Sequence, residues 1–247
     1  MKPDAPAGSR LATRVGGAAL IAATLLFAAV FAWLAHAFDY PAVLDRPAAD
    51  VLPGLLALGE TGRAVWVLYG LLPGLLVPAA LGVYAAGRQA APLPARAAVI
   101  LAVLSAASMA AGLLRWPSLH WQLAIAHDTA SPAARQAIAA VFAASNSYLG
   151  SFIGEFLGEL FLNLFFVVSA AVLTRSGAAP RGLLLASLAA GLLGGVAMLR
   201  NVLPMVQAVA ALNNAVLPAW MLVLGGVLVR HRAAASTRGP LAPTPCA

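Results

Sequence analysis

The amino-acid sequence predicts an all-α integral membrane bundle of about six transmembrane helices. Hydrophobic residues make up 62% of the 247 residues and charged residues only 9%, whereas a soluble domain has roughly 45–50% apolar and about 25% charged residues. Six stretches also meet the length of roughly 20 apolar residues that a helix needs to cross a bilayer. The single cysteine excludes a disulfide within one chain.

The six stretches predict one transmembrane domain over residues 15–230. The spans are expected at residues 15–38, 62–86, 96–115, 147–174, 182–202 and 205–229. Residues 1–14 are expected to form an N-terminal tail. Residues 231–247 have the composition of a disordered tail.

Basic residues are distributed unequally between the two sides of the predicted membrane. The side of the N-terminus receives ten of the fifteen, namely Lys2, Arg10, Arg14, Arg88, Arg96, Arg175, Arg181, Arg230, Arg232 and Arg238. The other side receives Arg46, Arg63, Arg115, Arg135 and Arg200, balanced by Asp39, Asp45, Asp50, Glu60 and Asp128. The positive-inside rule therefore predicts that both termini are cytoplasmic. Topology and attraction to anionic lipid explain the net charge of +7, so no nucleic-acid partner is predicted.

Two long loops, residues 39–61 and 116–146, face outward in this topology. In the first, Pro47 stands at a plausible helix start, and the apolar run after it is too short to span. In the second, Ser131 and Pro132 form an N-cap and first-turn pair ahead of "AARQAIAAVFAAS". We expect two interfacial or re-entrant segments on the outer face.

The fourth span contains "YLGSFIGEFLGELFLN", which has two different faces on an ideal α-helix. Gly150, Gly154 and Gly158 form a stripe whose small-xxx-small spacing predicts close packing of another helix. A second stripe is polar and comprises Tyr148, Ser151, Glu155, Glu159 and Asn163.

Glu155 and Glu159 are expected near the membrane midplane. If the helix enters at Ser147, they lie roughly 12 and 18 Å deep in a core about 30 Å thick. Each ionised residue there costs roughly 2.5–3.5 kcal/mol. The carboxylates are therefore protonated, paired with arginine, or in contact with a water-filled cavity. Interhelical hydrogen bonding alone is the alternative to a ligand, ion or proton site.

Polar residues inside the other spans concentrate toward the outer end. Those that could reach the glutamates are Arg115, Arg200, Gln207, Asn213 and Asn214. This pattern predicts an outward-facing polar pocket with Glu155 and Glu159 at its floor. Tyr148 and Asn163 join these residues as candidates for binding a small molecule or ion.

Catalytic and metal-binding motifs do not emerge from the sequence. His36, His120 and His127 all fall on the outer side, but their spacing matches no ligand motif. No catalytic constellation can be assembled, so no catalytic residue, metal or cofactor is predicted. An intramembrane enzyme is retained only as a third hypothesis.

Two stretches resemble a family of bacterial multi-helix membrane proteins known as a domain of unknown function. The first is Val43 to Gly70, where an outer loop leads into a tryptophan-bearing helix. The second is Val141 to Phe161, where the matching positions are Asn146, Tyr148, Gly150, Gly154, Glu155 and Gly158. The resemblance implies an integral membrane protein and emphasises Glu155. Together with the alanine-rich composition, it implies the cytoplasmic (inner) membrane of a bacterium.

Two functional hypotheses of different classes follow. In the first, the protein is a carrier or ligand-binding membrane protein whose glutamates hold a cation, a proton or an amine. In the second, it is an accessory or scaffold subunit whose glycine stripe docks a partner helix. Besides the lipid bilayer, a homo-oligomer or another membrane protein is a possible partner, because six helices are few for a carrier.

Overall fold

The computed structural model describes residues 7–231, and within this range it consists of helices joined by short turns. The α-helices are α1 (Ala7–Phe38), α2 (Ala48–Ala57), α3 (Gly59–Leu71), α4 (Leu76–Gly87), α5 (Pro92–Leu114), α6 (Trp121–Asp128), α7 (Pro132–Ser145), α8 (Gly158–Arg175), α9 (Arg181–Ala197) and α10 (Gln207–Arg230). Shorter 3-10 or π turns extend or join them at Ala42–Asp45, Leu72–Leu75, Trp116–His120, Asn146–Leu157, Met198–Asn201 and Pro204–Val206.

Within the described residues, six continuous helical stretches are long and apolar enough to span a membrane. They are Gly8–Phe38, Gly59–Gly87, Pro92–Asp128, Pro132–Arg175, Arg181–Asn201 and Gln207–Arg230. The prediction of an all-α membrane bundle with six spans is confirmed. The expected tails lie partly outside the described residues, since residues 1–6 and 232–247 are not among them.

The spans form a closed ring. Neighbouring helices contact one another in the order α1, α4, α5, α8, α9, α10 and back to α1, and α4 also contacts α8 across the ring. Because α1 begins and α10 ends at one end of the ring, we call the opposite end the distal end. There α2, α6 and α7 contact one another and form a layer that we call the distal cap.

Three spans extend beyond the predicted boundaries. The first helix begins at Ala7 and not at residue 15, since arginines near a membrane surface do not interrupt a helix and direct their charge to the headgroups. The third continues past residue 115, because a π turn accommodates Pro117, whose ring nitrogen has no hydrogen to donate. In this turn the His120 N–H bonds the Arg115 carbonyl at 2.8 Å.

The fourth span begins at Pro132 and not near residue 147. Ser131 is its N-cap, as the sequence predicts, and accepts a hydrogen bond from the Ala134 N–H at 3.4 Å. No loop separates α7 from the glutamate-bearing helix, because the π-helical segment Asn146–Leu157 joins α7 directly to α8.

An aromatic core lies beneath the distal cap. Trp66 and Trp116 are fully buried and stacked, with ring centroids 4.9 Å apart. The expected short helix after Pro47 is α2, and its apolar residues Val51, Leu52 and Leu55 are buried in this same core. Contact with protein therefore covers the apolar side of this helix.

Glycines allow the closest helix contacts in the ring. A Cβ built on Gly112 of α5 would lie 2.6 Å from the Gly154 Cα, and one built on Gly154 would lie 2.9 Å from the Gly112 Cα. Because the neighbouring atoms are backbone, an added methyl group can be accommodated only by separating the helices.

We therefore expect Gly112→Ala and Gly154→Ala each to destabilise the protein by about 1–3 kcal/mol, the usual cost of overpacking. Gly195→Ala in α9 is the matched control, since a Cβ there meets nothing within 4 Å. Thermal unfolding of the purified variants in one lipid nanodisc preparation would measure the differences. Equal stability of Gly112→Ala and Gly195→Ala would contradict the close contact.

Candidate functional site

The glutamate-bearing helix is fixed on its glycine side by α5. Gly154 contacts Gly112, and Gly158 lies against Met109. The Ser105 hydroxyl of α5 also donates to the Gly158 carbonyl at 2.9 Å. The structure thus places the glycine stripe against a helix of the same chain. The scaffold hypothesis assigned this face to a helix of another protein, and that assignment stays a prediction.

The carboxylates of Glu155 and Glu159 converge on one guanidinium, that of Arg200 at the end of the fifth span. Nη1 of Arg200 donates to Oε2 of Glu159 at 2.9 Å, and its Nη2 donates to Oε1 of Glu159 at 2.6 Å. Nη2 also donates to Oε2 of Glu155 at 3.0 Å. We call these three residues the carboxylate cluster.

The two glutamates are held differently. Glu159 binds Arg200 through both oxygens, and its side chain is 12% exposed. Glu155 binds through one oxygen, and its side chain is 33% exposed. Among the described residues, Oε1 of Glu155 has no hydrogen-bond donor. Bidentate pairs are the stronger ones, so Glu159 anchors Arg200 and Glu155 retains an oxygen that could bind another group.

The carboxylate cluster lies nearer the distal end than the sequence suggests. Counted from the other end of the helix at Arg175, Glu159 lies roughly 24 Å away and Glu155 roughly 30 Å, at about 1.5 Å per residue. Arg200 stands at a similar height in its own span, roughly 28 Å from Arg181. The helix begins at Pro132 and not near Ser147, so a count from Ser147 does not give the depth of the glutamates, and their position near the midplane stays a prediction.

Asn163 lies on the same side of the helix as the glutamates, whereas Tyr148 does not. The Asn163 side chain is buried directly against Gly194 of α9. Tyr148 is 64% exposed. The segment Asn146–Leu157 is π-helical, and its i→i+5 bonds put more residues in each turn than an α-helix has. Spacing on an ideal α-helix therefore misplaces Tyr148.

Arg115 does not pair with either glutamate. Its guanidinium donates to Oδ1 of Asn146 from Nε at 3.2 Å and from Nη2 at 2.8 Å, and to the Gly112 carbonyl. It also lies 5.2 Å from the centroid of the Trp116 ring. Arg115 is only 6% exposed, so neutral oxygens and an aromatic face stabilise a buried cation.

Gln207, Asn213 and Asn214 form no hydrogen bond to the carboxylate cluster within residues 7–231. Gln207 and Asn214 are exposed, and Asn213 is buried on α10.

Two cavities open at the distal end, of about 370 and 260 Å³, and neither is lined by Glu155 or Glu159. Arg200 bridges the two carboxylates, and a pocket floored by the glutamates stays a prediction.

Tyr40 belongs to the surroundings of the cluster and was missed by sequence reasoning. It follows α1, and its ring contacts Phe31, Trp66 and Tyr69. Burial and, secondarily, the negative charge of Glu155 raise the pKa of Tyr40 to about 12. The phenol therefore keeps its proton and can donate a hydrogen bond. Nothing in the sequence around Tyr40 indicates that its side chain would lie near the glutamates.

The histidines do not assemble into a metal site. In the part of the chain that the structure describes, no three His, Cys, Asp or Glu side chains come together as metal ligands. His120 bonds the Ser145 hydroxyl at 3.1 Å and is enclosed by Trp116 and Phe142.

A ring of six apolar helices with an ion-paired carboxylate cluster at one end defines a multi-pass helical membrane protein. The family described as Domain of unknown function (DUF4386) matches residues 20–229, and the chain belongs to this family. The resemblance seen at Val43 to Gly70 and Val141 to Phe161 is thereby confirmed. Comparisons with curated proteins and with solved structures give no match.

The different contacts of the two glutamates predict different costs of substitution. We expect Glu159→Gln to lower the free energy of unfolding by about 1–3 kcal/mol, because it breaks a bidentate pair that is largely buried. We expect Glu155→Gln to lower it by less than about 1 kcal/mol, since Arg200 keeps its anchor. Thermal and denaturant unfolding in the same nanodiscs would compare them. A larger loss of unfolding free energy from Glu155→Gln than from Glu159→Gln would show that Glu155, and not Glu159, anchors Arg200.

Proposed function

We propose that the protein is a ligand-binding membrane protein, or a carrier, whose carboxylate cluster binds a cation, a proton or an amine. One observation carries the proposal: Glu155 is partly exposed and has a carboxylate oxygen with no donor among the described residues, although it lies within a helical stretch apolar and long enough to span a membrane. Ionisable residues in such positions are by default functional.

The charge of the cluster supports a positively charged ligand. Two carboxylates face one guanidinium, so the ionised cluster carries one negative charge in excess. Arg115 is the other basic residue nearby, but its guanidinium is occupied by Asn146 and Gly112. A cation or a proton at Glu155 would complete the neutralisation.

The contacts also supply a way for the ligand to exchange. Arg200 can remain on Glu159 through two hydrogen bonds while its single bond to Glu155 breaks. A cation or an ammonium group would then take the place of Arg200 at Glu155. In this scheme Glu155 is the binding residue and Glu159 positions Arg200.

We further propose that the distal end faces outward from a bacterial cytoplasmic membrane, with both termini inside. The distribution of arginines supports this orientation. Helices begin or end beside Arg88, Arg96, Arg175, Arg181 and Arg230 at the end opposite the distal end, as the positive-inside rule requires for a cytoplasmic face.

The experiment is a thermal-shift titration of the full chain in nanodiscs with sodium, magnesium or methylammonium chloride. A ligand at about 100 times its Kd stabilises by about 2.7 kcal/mol, and we expect the Tm to rise by about 5–10 °C. Glu155→Gln should abolish the shift while it leaves the protein folded. Glu60→Gln, an exposed glutamate at the same end, is the matched control.

Native mass spectrometry of the same samples would identify an occupant that co-purifies. A shift that persists in Glu155→Gln, or that disappears equally in Glu60→Gln, would overturn the assignment of the site. If neither the three cations nor a change of pH alters the Tm in a Glu155-dependent way, the carboxylate cluster is a structural link between helices.

A further inference from the structure

The larger of the two distal cavities lies apart from the carboxylate cluster. Its volume is about 370 Å³, within the range of small-molecule pockets. Ala49 and Pro53 of α2 and Ala139 of α7 give it an apolar wall. The polar part of its lining comprises His127, Asp128, Arg135 and Gln136. No residue of the carboxylate cluster contributes to it.

His127 is a buried polar side chain that faces this cavity without a partner. The residue is 7% exposed, and its ring forms no hydrogen bond to any described residue. Buried polar groups in native proteins are nearly always hydrogen-bonded. Neither ring nitrogen of His127 is among the fully enclosed atoms that lack a hydrogen bond, so the imidazole is free to bond a molecule in the cavity.

Two opposite charges flank the same cavity and do not pair with each other. The Arg135 guanidinium is held by two carbonyls, with Nε at 3.2 Å from the His127 oxygen and Nη2 at 3.3 Å from the Asp128 oxygen. The Asp128 carboxylate has no ion-pair partner in residues 7–231. Arg135 retains further N–H groups, since guanidinium has five donors.

We propose that this cavity binds a zwitterion that carries an ammonium group and an anionic group a few atoms apart. The ammonium binds Asp128, and the anionic group binds the free edge of the Arg135 guanidinium. His127 and Gln136 contribute neutral hydrogen bonds. Separated charges of opposite sign favour such a ligand over a simple cation or anion, because each simple ion meets one like charge.

Two sources supply this chemistry. One is a free amino acid, and the other is the phosphoethanolamine headgroup of a lipid, which the position of the cavity at the end of the membrane spans makes accessible. The test must therefore offer both a soluble zwitterion and the intact lipid.

Calorimetric titration of the full chain in phosphatidylglycerol nanodiscs would use O-phosphoethanolamine and β-alanine as zwitterions. Ethylamine and methyl phosphate present the two charges singly. We expect one of the zwitterions to bind at least about tenfold more tightly than either single-charge probe, a difference of about 1.4 kcal/mol. In a parallel arm, native mass spectrometry would measure phosphatidylethanolamine retained from mixed nanodiscs.

Asp128→Asn should weaken binding of the zwitterion, or retention of the lipid, by about tenfold, because it removes the charge that faces the ammonium group. Asp50→Asn is the matched control, since Asp50 is exposed on α2 and does not line the cavity. Arg135 also caps α6, so Arg135→Gln is interpreted only if its Tm matches that of the wild type.

Binding of a soluble zwitterion assigns a free ligand, and retention of the lipid alone assigns the headgroup. Equal affinity for ethylamine or methyl phosphate and the zwitterions would overturn the proposal. Absence of both binding and lipid retention, or an equal effect of Asp50→Asn, would also overturn it. None of these outcomes depends on Glu155, so the two proposed sites are tested independently.

Discussion

The ion pairing of Arg200 with Glu155 and Glu159 is the interaction on which the ring of helices depends. Ionised side chains in a membrane span are costly unless they meet a partner, and here one guanidinium compensates two carboxylates from the neighbouring helix. The pairing joins two neighbouring helices whose other contacts include Asn163 against Gly194 and Val167 against Gly191. It also explains why a short apolar span ends with an arginine.

Two different forces hold the glutamate-bearing helix, one on each side. Toward α5 the contact is steric, since the backbones at Gly112 and Gly154 nearly touch and dispersion contacts replace the hydrophobic effect that is absent between helices in lipid. Toward α9 the contact is electrostatic. A helix held by close backbone packing presents its charged side at a fixed angle, which would preorganise the site proposed at Glu155.

The sequence was sufficient for what depends on composition and local chemistry: the membrane class, the six spans, the Ser131 cap, and Arg200 as a candidate partner for the glutamates. It was insufficient where helices continue through residues that usually end them. Pro117 and the Asn146 region lie in π turns. This continuity moves the start of the fourth span from near Ser147 to Pro132 and changes the direction of Tyr148. The partner of Arg115 was also not predictable, because an asparagine 31 residues away gives no charge signal.

The π-helical segment Asn146–Leu157 connects the two polar regions of the distal end. Its first residue holds Arg115, and Glu155 near its last turn holds Arg200. Tightening this segment to α-geometry would rotate its beginning relative to its end, because the number of residues per turn would fall. Such a rotation would change the position of Asn146 at Arg115 relative to that of Glu155 at Arg200. One continuous segment of backbone thus couples the surroundings of the buried Arg115 guanidinium to those of the Glu155 carboxylate.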